Sequence, residues 1–488
     1  MVCDEELLSF QIIAVWVITK KVSEIITTKK IIQMKKTSLL LLLTLSAGLF
    51  AQPVTEKKDT TSKMQWFEDA KLGIFIHYGI YAVKGVGESW SFHNNEISEK
   101  DYFDQLKSFT AKNYDPEQWA KLFKESGAKY AVLTAKHHDG VALWNTKLND
   151  LSVVKKSPAA HDLITPYAQA LRKEGLKVGI YFSHLDWSNP DYATVFYAND
   201  KQHPTKYNTY DFPKTGVEDT VRWNRFVAFR NAQMKEIQQL TNPDLWWFDG
   251  DWTRSAKQWK MKELREEMLS WNPKTILNSR MMGYGDYATP EQGVPIFGPK
   301  GPWELCMTIN DSWGFKPKDN NQKSVNYIIR IFADCISMGG NLLLDAGPME
   351  DGTFTQPQID RLKGLGRWTN KHAEAIFGTT RGLPFGHFYG PTTLSKDRKT
   401  VYCFVLDTPK DDIVVKGIRN KILQIRLIGT SETLTYKRNG GAGWMKIPGV
   451  LLIKLPTEKM DQNVSVIAID LDSPLDLYRG NGGAIENN

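Results

Sequence analysis

Residues 243–252 read Pro-Asp-Leu-Trp-Trp-Phe-Asp-Gly-Asp-Trp, and their apolar run ends abruptly at the carboxylate of Asp249. A continuous apolar run is typical of a parallel strand that is buried on both faces. The carboxyl ends of such strands are where α/β enzymes collect their catalytic groups. The aromatic neighbours suit the C–H faces of a pyranose, and a carboxylate suits its hydroxyls. The stretch therefore predicts either a strand that delivers Asp249 to a sugar-binding cleft, or an Asp-Gly turn without a catalytic role.

Strand-like and helix-like patterns alternate through most of the chain, which predicts βα units and a parallel sheet. The predicted strands span 72–77, 130–135, 177–183, 245–249, 275–278 and 339–345, and the predicted helices span 116–126, 161–174, 221–240, 261–271, 325–337 and 356–375. Several of these strands are followed at once by polar residues, for example at His77 and His184. Polar side chains at many strand ends favour an α/β fold with a (β/α)8-like barrel over residues 64–378.

After Gly378 the pattern changes to short β-type runs that are separated by turns. These runs span 401–406, 412–415, 422–428, 434–436, 450–454 and 464–471. Their number and spacing predict a C-terminal β-sandwich over residues 379–478. The Gly- and Asn-rich residues 479–488 are expected to form a flexible tail.

Residues 34–51 have the pattern of a secretory signal peptide. Met34 and two lysines precede an apolar run at 39–45, and small residues follow up to Ala51, where cleavage is expected. Residues 1–33 come before this signal, so we expect the true start to be Met34 and residues 52–63 to form a linker. The apolar segments are shorter than the roughly 20 residues that a bilayer span needs. A soluble periplasmic or secreted protein without a membrane span is therefore predicted.

Composition narrows the class of protein. The chain has 488 residues, which is enough for a barrel and a smaller module, and its 16 Trp, 18 Tyr and 22 Phe favour a carbohydrate-active protein. The net charge of +7 comes from dispersed lysines, so no nucleic-acid partner is expected. Cys3, Cys306, Cys335 and Cys403 lack metal-like spacing, and buried free thiols are favoured over a disulfide.

The segment His137-His138-Asp139-Gly140 contains good metal ligands. Adjacent side chains on a strand point to opposite faces, however, so both imidazoles would bind one ion only if the strand ended between them. Hydrogen bonds to sugar hydroxyls are favoured, with purely structural hydrogen bonds and a metal site as alternatives.

Six motifs in the same order as in a known family cover most of residues 64–375. They are Trp66-Phe67 with 71–79 (Lys-Leu-Gly-Ile-Phe-Ile-His-Tyr-Gly), 135–140 (Ala-Lys-His-His-Asp-Gly), 247–250 (Trp-Phe-Asp-Gly), 278–280 (Asn-Ser-Arg), Trp303-Glu304 with 312–314 (Ser-Trp-Gly), and 339–344 (Gly-Gly-Asn-Leu-Leu-Leu). With these motifs the chain resembles the α-L-fucosidases of glycoside hydrolase family 29. The resemblance implies a catalytic barrel followed by a β-sandwich, and metal-free hydrolysis of α-L-fucosides in fucosylated oligosaccharides or glycoconjugates with retention of configuration.

Retention requires two carboxyl groups about 5 to 5.5 Å apart, one as nucleophile and one as acid/base. The resemblance implies that Asp249 is the nucleophile, whereas Asp251 lies past the turn and is expected to play a supporting part. Two glutamates fit the acid/base. Glu291 is preferred because it lies on an expected loop over the cleft, and Glu304 is the alternative because it lies between apolar residues and could instead anchor a loop. No metal or other cofactor is expected.

The resemblance also implies a subsite for one deoxysugar. Its expected lining is His77, Glu88, Trp90, His137, His138, Tyr181, Trp247, Arg280 and Trp313. Trp90, Phe92 and Trp313 are the candidates for an aromatic wall around the sugar's methyl group. Two other functions stay open at this point: a non-catalytic fucose-binding protein on the same fold, and a metal-dependent hydrolase built on His137, His138 and Asp139.

Overall fold

The computed structural model describes residues 61–192 and 219–480. The predicted signal peptide, the segment before it and most of the predicted linker lie outside the described residues, as does most of the predicted C-terminal tail. No helix in the described ranges is long and apolar enough to cross a membrane.

Seven parallel strands form the larger sheet. They are β1 (Leu72–Ile76), β2 (Tyr130–Lys136), β3 (Lys177–Ser183), β4 (Leu245–Asp249), β5 (Ile276–Leu277), β6 (Glu304–Thr308) and β7 (Asn341–Ala346), in the order β5-β4-β3-β2-β1-β7-β6. Because all strands run the same way, their carboxyl ends meet at one edge of the sheet. In the β3–β4 ladder, for example, Ser183 pairs with Asp249.

The strands are mostly apolar between their ends, as expected for a sheet that is covered on both faces. On one face, Phe75, Val132, Tyr181 and Trp247 belong to a cluster made largely of the strands themselves. On the other face, alternate residues of the same strands pack with residues of the helices in a second, larger cluster. The first of these clusters, which contains Tyr181 and Trp247, lies beneath the carboxyl edge and supports the side chains that project there.

Helices connect the strands and cover the outer face. They are α1 (Thr61–Ala70), α2 (Trp90–His93), α3 (Glu99–Phe103), α4 (Pro116–Glu125), α5 (Val153–Lys156), α6 (Ile164–Lys173), α7 (Thr220–Thr241), α8 (Ala256–Trp259), α9 (Met261–Trp271), α10 (Val325–Ser337), α11 (Gln356–Lys371) and α12 (Ala373–Ile376). Helix α4 is typical: Asp115 caps its first turn by accepting from the Gln118 amide, and Pro116 follows the cap. It buries Trp119, Ala120 and Phe123, which share one face.

Most predicted elements are confirmed, several with the same limits, but two differ, and several observed elements were not predicted. The predicted helix 356–375 is two helices, because His372 leaves the helical backbone conformation while its buried ring hydrogen-bonds to the Trp368 carbonyl group. Strand β6 was not predicted, since it begins with Glu304 and contains a central cysteine. The predicted strand 434–436 shares only its last residue with the observed strand, Tyr436–Asn439.

Between β5 and β6 the residues 286–292 run as an extended segment with isolated bridges to both strands. The Asp286 amide donates to the Leu277 carbonyl at 2.7 Å, and the Cys306 amide donates to the Pro290 carbonyl at 3.1 Å. Backbone hydrogen bonds therefore connect β5 to β6 through this segment, which carries Glu291.

The C-terminal part contains two antiparallel sheets. One holds β8 (Thr380–Arg381), β9 (Thr392–Leu394), β10 (Thr400–Val405), β12 (Ile422–Leu427) and β15 (Ser465–Leu471), and the other holds β11 (Ile413–Val415), β13 (Tyr436–Asn439) and β14 (Val450–Ile453). Residues of both sheets share one apolar cluster. The indole Nε1 of Trp368, on α11, donates to the Val464 carbonyl at 2.8 Å and joins this part to the parallel sheet's helices. Cys306, Cys335 and Cys403 are buried free thiols, as predicted.

Candidate active site

Asp249 is the last residue of β4 and its carboxylate is held on both oxygens. Oδ1 accepts from Arg280 Nη1 at 3.0 Å and from the Gly250 amide at 2.9 Å. Oδ2 accepts from the Tyr181 hydroxyl at 3.0 Å. The side chain keeps 17% of its surface accessible, so the carboxylate is fixed but open on one side.

Two opposing effects act on the charge of Asp249. Burial raises the pKa of this carboxyl group, because an anion loses its hydration there. The Arg280 guanidinium and the hydrogen bonds from Tyr181 and the Gly250 amide act in the other direction and favour the ionised form. Arg280 is the strongest of these opposing groups.

Arg280 bridges two carboxyl groups. Its Nη2 lies 2.9 Å from Glu291 Oε2, while Nη1 binds Asp249. The Glu291 side chain is 42% exposed and lies on the extended segment that joins β5 to β6. One guanidinium thus holds the two carboxyl groups on the same side of the sheet's carboxyl edge.

Glu304 occupies a different environment. It is the first residue of β6 and is completely buried. Oε1 accepts from Trp247 Nε1 at 2.9 Å, and Oε2 accepts from the Tyr130 hydroxyl at 2.5 Å. Burial raises the pKa of Glu304 to about 7, against the effect of these hydrogen bonds. Glu304 begins its strand whereas Asp249 ends its own, so the two lie at opposite ends of the parallel sheet.

The three histidines of the expected lining each use Nδ1 for a protein partner. Nδ1 of His77 lies 2.6 Å from Asp345 Oδ1, that of His138 lies 2.6 Å from Ser183 Oγ, and that of His137 hydrogen-bonds to Ser89 Oγ. Burial lowers the pKa of His77 to about 4 and that of His137 and His138 well below the ordinary value, which favours the neutral rings.

His138 approaches the nucleophile candidate most closely, with Nε2 at 3.6 Å from Asp249 Oδ2. The hydroxyl of its partner Ser183 donates to the Leu185 carbonyl, so Ser183 Oγ accepts the proton of His138 Nδ1. In the neutral ring Nε2 is then an unprotonated acceptor, and it is buried beside Asp249 without a hydrogen-bond partner among the described residues.

The predicted metal ligands of the His-His-Asp segment point to separate partners. His137 and His138 bind two different serines, and Asp139 accepts from the Tyr102 hydroxyl and the Val141 amide. Within residues 61–192 and 219–480, no three His, Cys, Asp or Glu side chains are grouped as a metal site requires. The arrangement suits hydrogen bonding to a ligand rather than metal coordination.

Aromatic rings line much of the pocket. Trp247 stacks on Tyr181 with centroids 5.6 Å apart and an angle of 18°, and Tyr181 stacks on His137 at 5.5 Å and 6°. Trp313 packs on His77 at 5.0 Å, and Trp90 meets His138 edge-on at 5.5 Å. Both of these tryptophans are only partly buried, which leaves surface for a ligand.

Phe92 differs from the expectation, and Glu88 has a protein partner. Phe92 is completely buried and packs on Tyr102 and Phe103, so it has no face open to a sugar's methyl group. Glu88 is nearly buried, and its Oε1 accepts from the Gly314 amide at 2.6 Å. That hydrogen bond joins the loop after β1 to the loop after β6.

Sequence reasoning missed the partners that orient these side chains. Ser183 and Asp345 end predicted strands and Ser89 lies between Glu88 and Trp90, but nothing in the sequence distinguishes a residue that holds a histidine from any other polar residue at such a position. Trp252 was also missed as a pocket residue. It is 46% exposed, and its ring lies nearly parallel to that of Trp90 with centroids 6.4 Å apart.

Sequence comparisons match this chain to proteins that share one description. The sequence profile of the family described as "Alpha-L-fucosidase" matches residues 46–374. The tissue α-L-fucosidase of Homo sapiens is 30% identical in an alignment of 431 positions that covers 80% of this chain and 87% of the human protein. The α-L-fucosidase of Branchiostoma floridae is 28% identical in an alignment of 463 positions that covers 87% of this chain and 96% of that protein.

Solved structures agree with the sequence comparison. The chain is similar to α-L-fucosidase isoenzyme 1 from Paenibacillus thiaminolyticus, with a TM-score of 0.74 and 30% identity over 85% of this chain and 99% of that one. It is also similar to a family 29 α-L-fucosidase from Bacteroides thetaiotaomicron, with a TM-score of 0.73 and 25% identity over 84% of this chain and 96% of that one. That structure is described as a covalent intermediate trapped with 2-fluoro-fucosyl fluoride in a Glu-to-Gln mutant.

Proposed function

The chain belongs to the α-L-fucosidase family and is a glycoside hydrolase, and we propose that it is a retaining exo-α-L-fucosidase that uses Asp249 as nucleophile and Glu291 as acid/base. Its substrates would be fucosylated oligosaccharides or glycoconjugates. The observation that carries the proposal is the bridge from Asp249 through Arg280 to Glu291 at the carboxyl edge of the parallel sheet.

Asp249 has the properties that a nucleophile needs. A carboxylate that attacks an anomeric carbon must be ionised, fixed in direction and open on one side. Arg280, Tyr181 and the Gly250 amide favour the charge and fix the orientation, and the accessible surface of the side chain supplies the open side.

Glu291 suits the acid/base better than Glu304 does. The general acid must reach the glycosidic oxygen and exchange protons with water, and Glu291 is partly exposed at the rim. Glu304 is completely buried, with both oxygens occupied by Trp247 and Tyr130. A sugar hydroxyl that binds Arg280 would compete with Glu291 for the guanidinium and free its carboxyl group for proton transfer.

The reaction then has two steps. Asp249 attacks the anomeric carbon, the bond from that carbon to the leaving oxygen breaks, and Glu291 gives its proton to that oxygen. Water next attacks the fucosyl ester while Glu291 takes its proton, and the bond to Asp249 breaks. Fucose leaves with retained configuration, and both carboxyl groups return to their starting protonation states.

The remaining pocket residues would bind the sugar. The neutral histidines His77, His137 and His138 offer ring nitrogens to hydroxyl groups, and Trp247 and Tyr181 offer aromatic surface to the C–H face. Trp90 and Trp313 remain the candidates for the wall around the methyl group. Glu88 joins two pocket loops through the Gly314 amide and has a second carboxylate oxygen for a hydroxyl group.

We also infer that the parallel sheet closes into a (β/α)8-like barrel, because the segment 286–292 connects its edge strands β5 and β6 by backbone hydrogen bonds. The shared core of the two antiparallel sheets supports a β-sandwich. The domain limits are proposed as predicted: 64–378 for the barrel and 379–478 for the sandwich. The signal-like residues 34–51 support export to the periplasm or the medium, which N-terminal sequencing of the exported protein would test.

The test of the proposed function is turnover of an aryl α-L-fucoside, with the first product followed by NMR. The wild type should release α-L-fucose first, Asp249→Gly should be inactive without azide, and Glu291→Ala should lose about 10²- to 10⁴-fold on a poor leaving group. With an activated aryl fucoside, azide should restore turnover in both variants and give fucosyl azides of opposite anomeric configuration. A protein that binds fucose but never turns over this substrate would be the non-catalytic binder, and initial release of β-L-fucose would refute retention.

A further inference from the structure

The buried carboxylate of Glu304 needs an explanation once Glu291 is assigned to proton transfer. Removing a carboxylate from water is costly even when it accepts hydrogen bonds, and apolar residues of similar volume often stabilise a fold as well or better. Glu304 nevertheless lies among apolar side chains, with its oxygens bound to Tyr130 and Trp247. Buried ionisable groups of this kind are frequent near functional sites.

Trp247, the partner of Glu304, supports both side chains that bind Asp249. One face of its ring stacks on Tyr181, with centroids 5.6 Å apart. The guanidinium carbon of Arg280 lies 5.4 Å from the ring centroid. Tyr181 and Arg280 donate to the two different oxygens of Asp249. The orientation of the Trp247 indole therefore affects the hydrogen bonds to both carboxylate oxygens of Asp249.

A hydrogen bond from its single N–H group fixes how an indole is rotated within the plane of its ring. Stacking and cation–π contacts depend on the ring face and tolerate rotation or sliding, whereas a hydrogen bond to Nε1 selects one orientation. In this structure Oε1 of Glu304 accepts that bond at 2.9 Å.

We propose that Glu304 is a positioning residue for the nucleophile: it anchors the indole of Trp247, which keeps Tyr181 and Arg280 in place around Asp249. This inference rests on the proposed function, since it assumes that Asp249 attacks the sugar. Glu304 touches neither the substrate nor the reacting atoms in this scheme. It acts entirely through Trp247.

The test compares Glu304→Met with Glu304→Gln. Methionine has a similar volume but cannot accept the indole N–H, so kcat should fall about 10- to 100-fold, as expected when a reacting group is slightly misplaced. Glutamine keeps a carbonyl oxygen that can accept from Nε1, so kcat of Glu304→Gln should be at least tenfold higher than kcat of Glu304→Met. The acidic limb of kcat/KM should move to higher pH in the Met variant, because the contacts that favour ionised Asp249 are loosened.

Tyr130→Phe is the matched control. It removes the other hydrogen bond of Glu304, at Oε2, and leaves the bond to Trp247 in place. Its melting temperature should fall while kcat per folded active site, titrated with 2-fluoro-fucosyl fluoride, stays within about threefold of the wild type. Should Glu304→Met not fold, Trp247→Phe removes the same hydrogen bond together with part of the aromatic surface and should lose at least as much kcat.

Three outcomes would overturn the inference. If kcat per active site is unchanged in Glu304→Met, the carboxylate only stabilises the fold. If the loss grows steeply with the basicity of the leaving group and azide restores turnover, Glu304 is the acid/base after all. If Tyr130→Phe loses as much kcat as Glu304→Met, the effect does not pass through Trp247. A wild type that is inactive on aryl α-L-fucosides would instead refute the proposed function itself.

Discussion

Replacement of Arg280 by methionine should shift the pH dependence of the enzyme in a direction that the structure fixes. Arg280 is the strongest of the groups that oppose the effect of burial on Asp249, and it binds Oδ1 at 3.0 Å. Without the cation, burial is less opposed and the pKa of Asp249 rises. Because the nucleophile acts as the anion, the acidic limb of kcat/KM should move to higher pH.

The size of the shift follows from the geometry. Two unit charges about 4 Å apart attract each other by about 4 kcal/mol near a protein surface. The guanidinium is 21% exposed and the carboxylate 17%, so water screens part of this attraction. About half of it, roughly 2 kcal/mol, corresponds to a rise of about one to two pH units. The value of kcat/KM at its optimum should also fall, since the sugar and Asp249 lose a donor.

The assay is the pH profile of kcat/KM on a fluorogenic aryl α-L-fucoside, which reports ionisations of the free enzyme. Arg265→Met is a suitable control. Arg265 is equally exposed and binds Asp286 at 2.6 Å, and its loss should lower the melting temperature without moving the acidic limb. The reasoning is refuted if Arg280→Met stays active with the wild-type acidic limb, or if the Arg265 variant shifts that limb as far.

Three further changes have expected outcomes. Tyr181→Phe removes the hydroxyl group that favours ionised Asp249, so the acidic limb of kcat/KM should again rise, by less than in the arginine variant; an unchanged limb would contradict this. Gly250→Ala should lower the free energy of unfolding in urea by roughly 1–3 kcal/mol, because Gly250 has φ 79° and an added Cβ would lie 2.4 Å from Leu185 Cγ. An unchanged free energy of unfolding would show that the turn relaxes. Burial raises the pKa of Glu304 from 4.5 to about 7, so the folded state binds the proton more tightly than the unfolded state does. Between pH 4.5 and 7 the free energy of unfolding of the wild type should therefore fall by roughly 3 kcal/mol relative to that of Glu304→Gln. Parallel curves of stability against pH for the two proteins would contradict this.

Much of the parallel sheet could be predicted from the sequence because its strands are buried on both faces. Leu245–Asp249 and Lys177–Ser183 are continuous apolar runs with polar ends, and such runs are recognisable without knowledge of their neighbours. Strand β6 could not be recognised in this way. It starts with a glutamate that is stable in the core only because Tyr130 and Trp247, which are distant in sequence, donate to it.

The candidate site likewise has residues that local sequence predicts and residues that depend on distant parts of the chain. Motif order predicted Asp249 and Arg280 as site residues, but local sequence could not decide between Glu291 and Glu304. The two glutamates differ in burial and hydrogen bonding, and both properties depend on how β6 and the segment before it align with the rest of the sheet. The exposed Trp252 was quoted at the outset as one aromatic residue among several, because exposure at a pocket rim is a property of the assembled loops.

The most direct test of the account is the identity of the residue that carries the sugar during turnover. The enzyme should be inactivated with 2-fluoro-fucosyl fluoride, digested, and analysed by mass spectrometry for the labelled peptide. The account predicts one fluorofucosyl group on Asp249, in the peptide that contains Trp247 and Gly250, and no labelling in Asp249→Asn. A label on any other residue, or inactivation of the Asn variant at the wild-type rate, would contradict it.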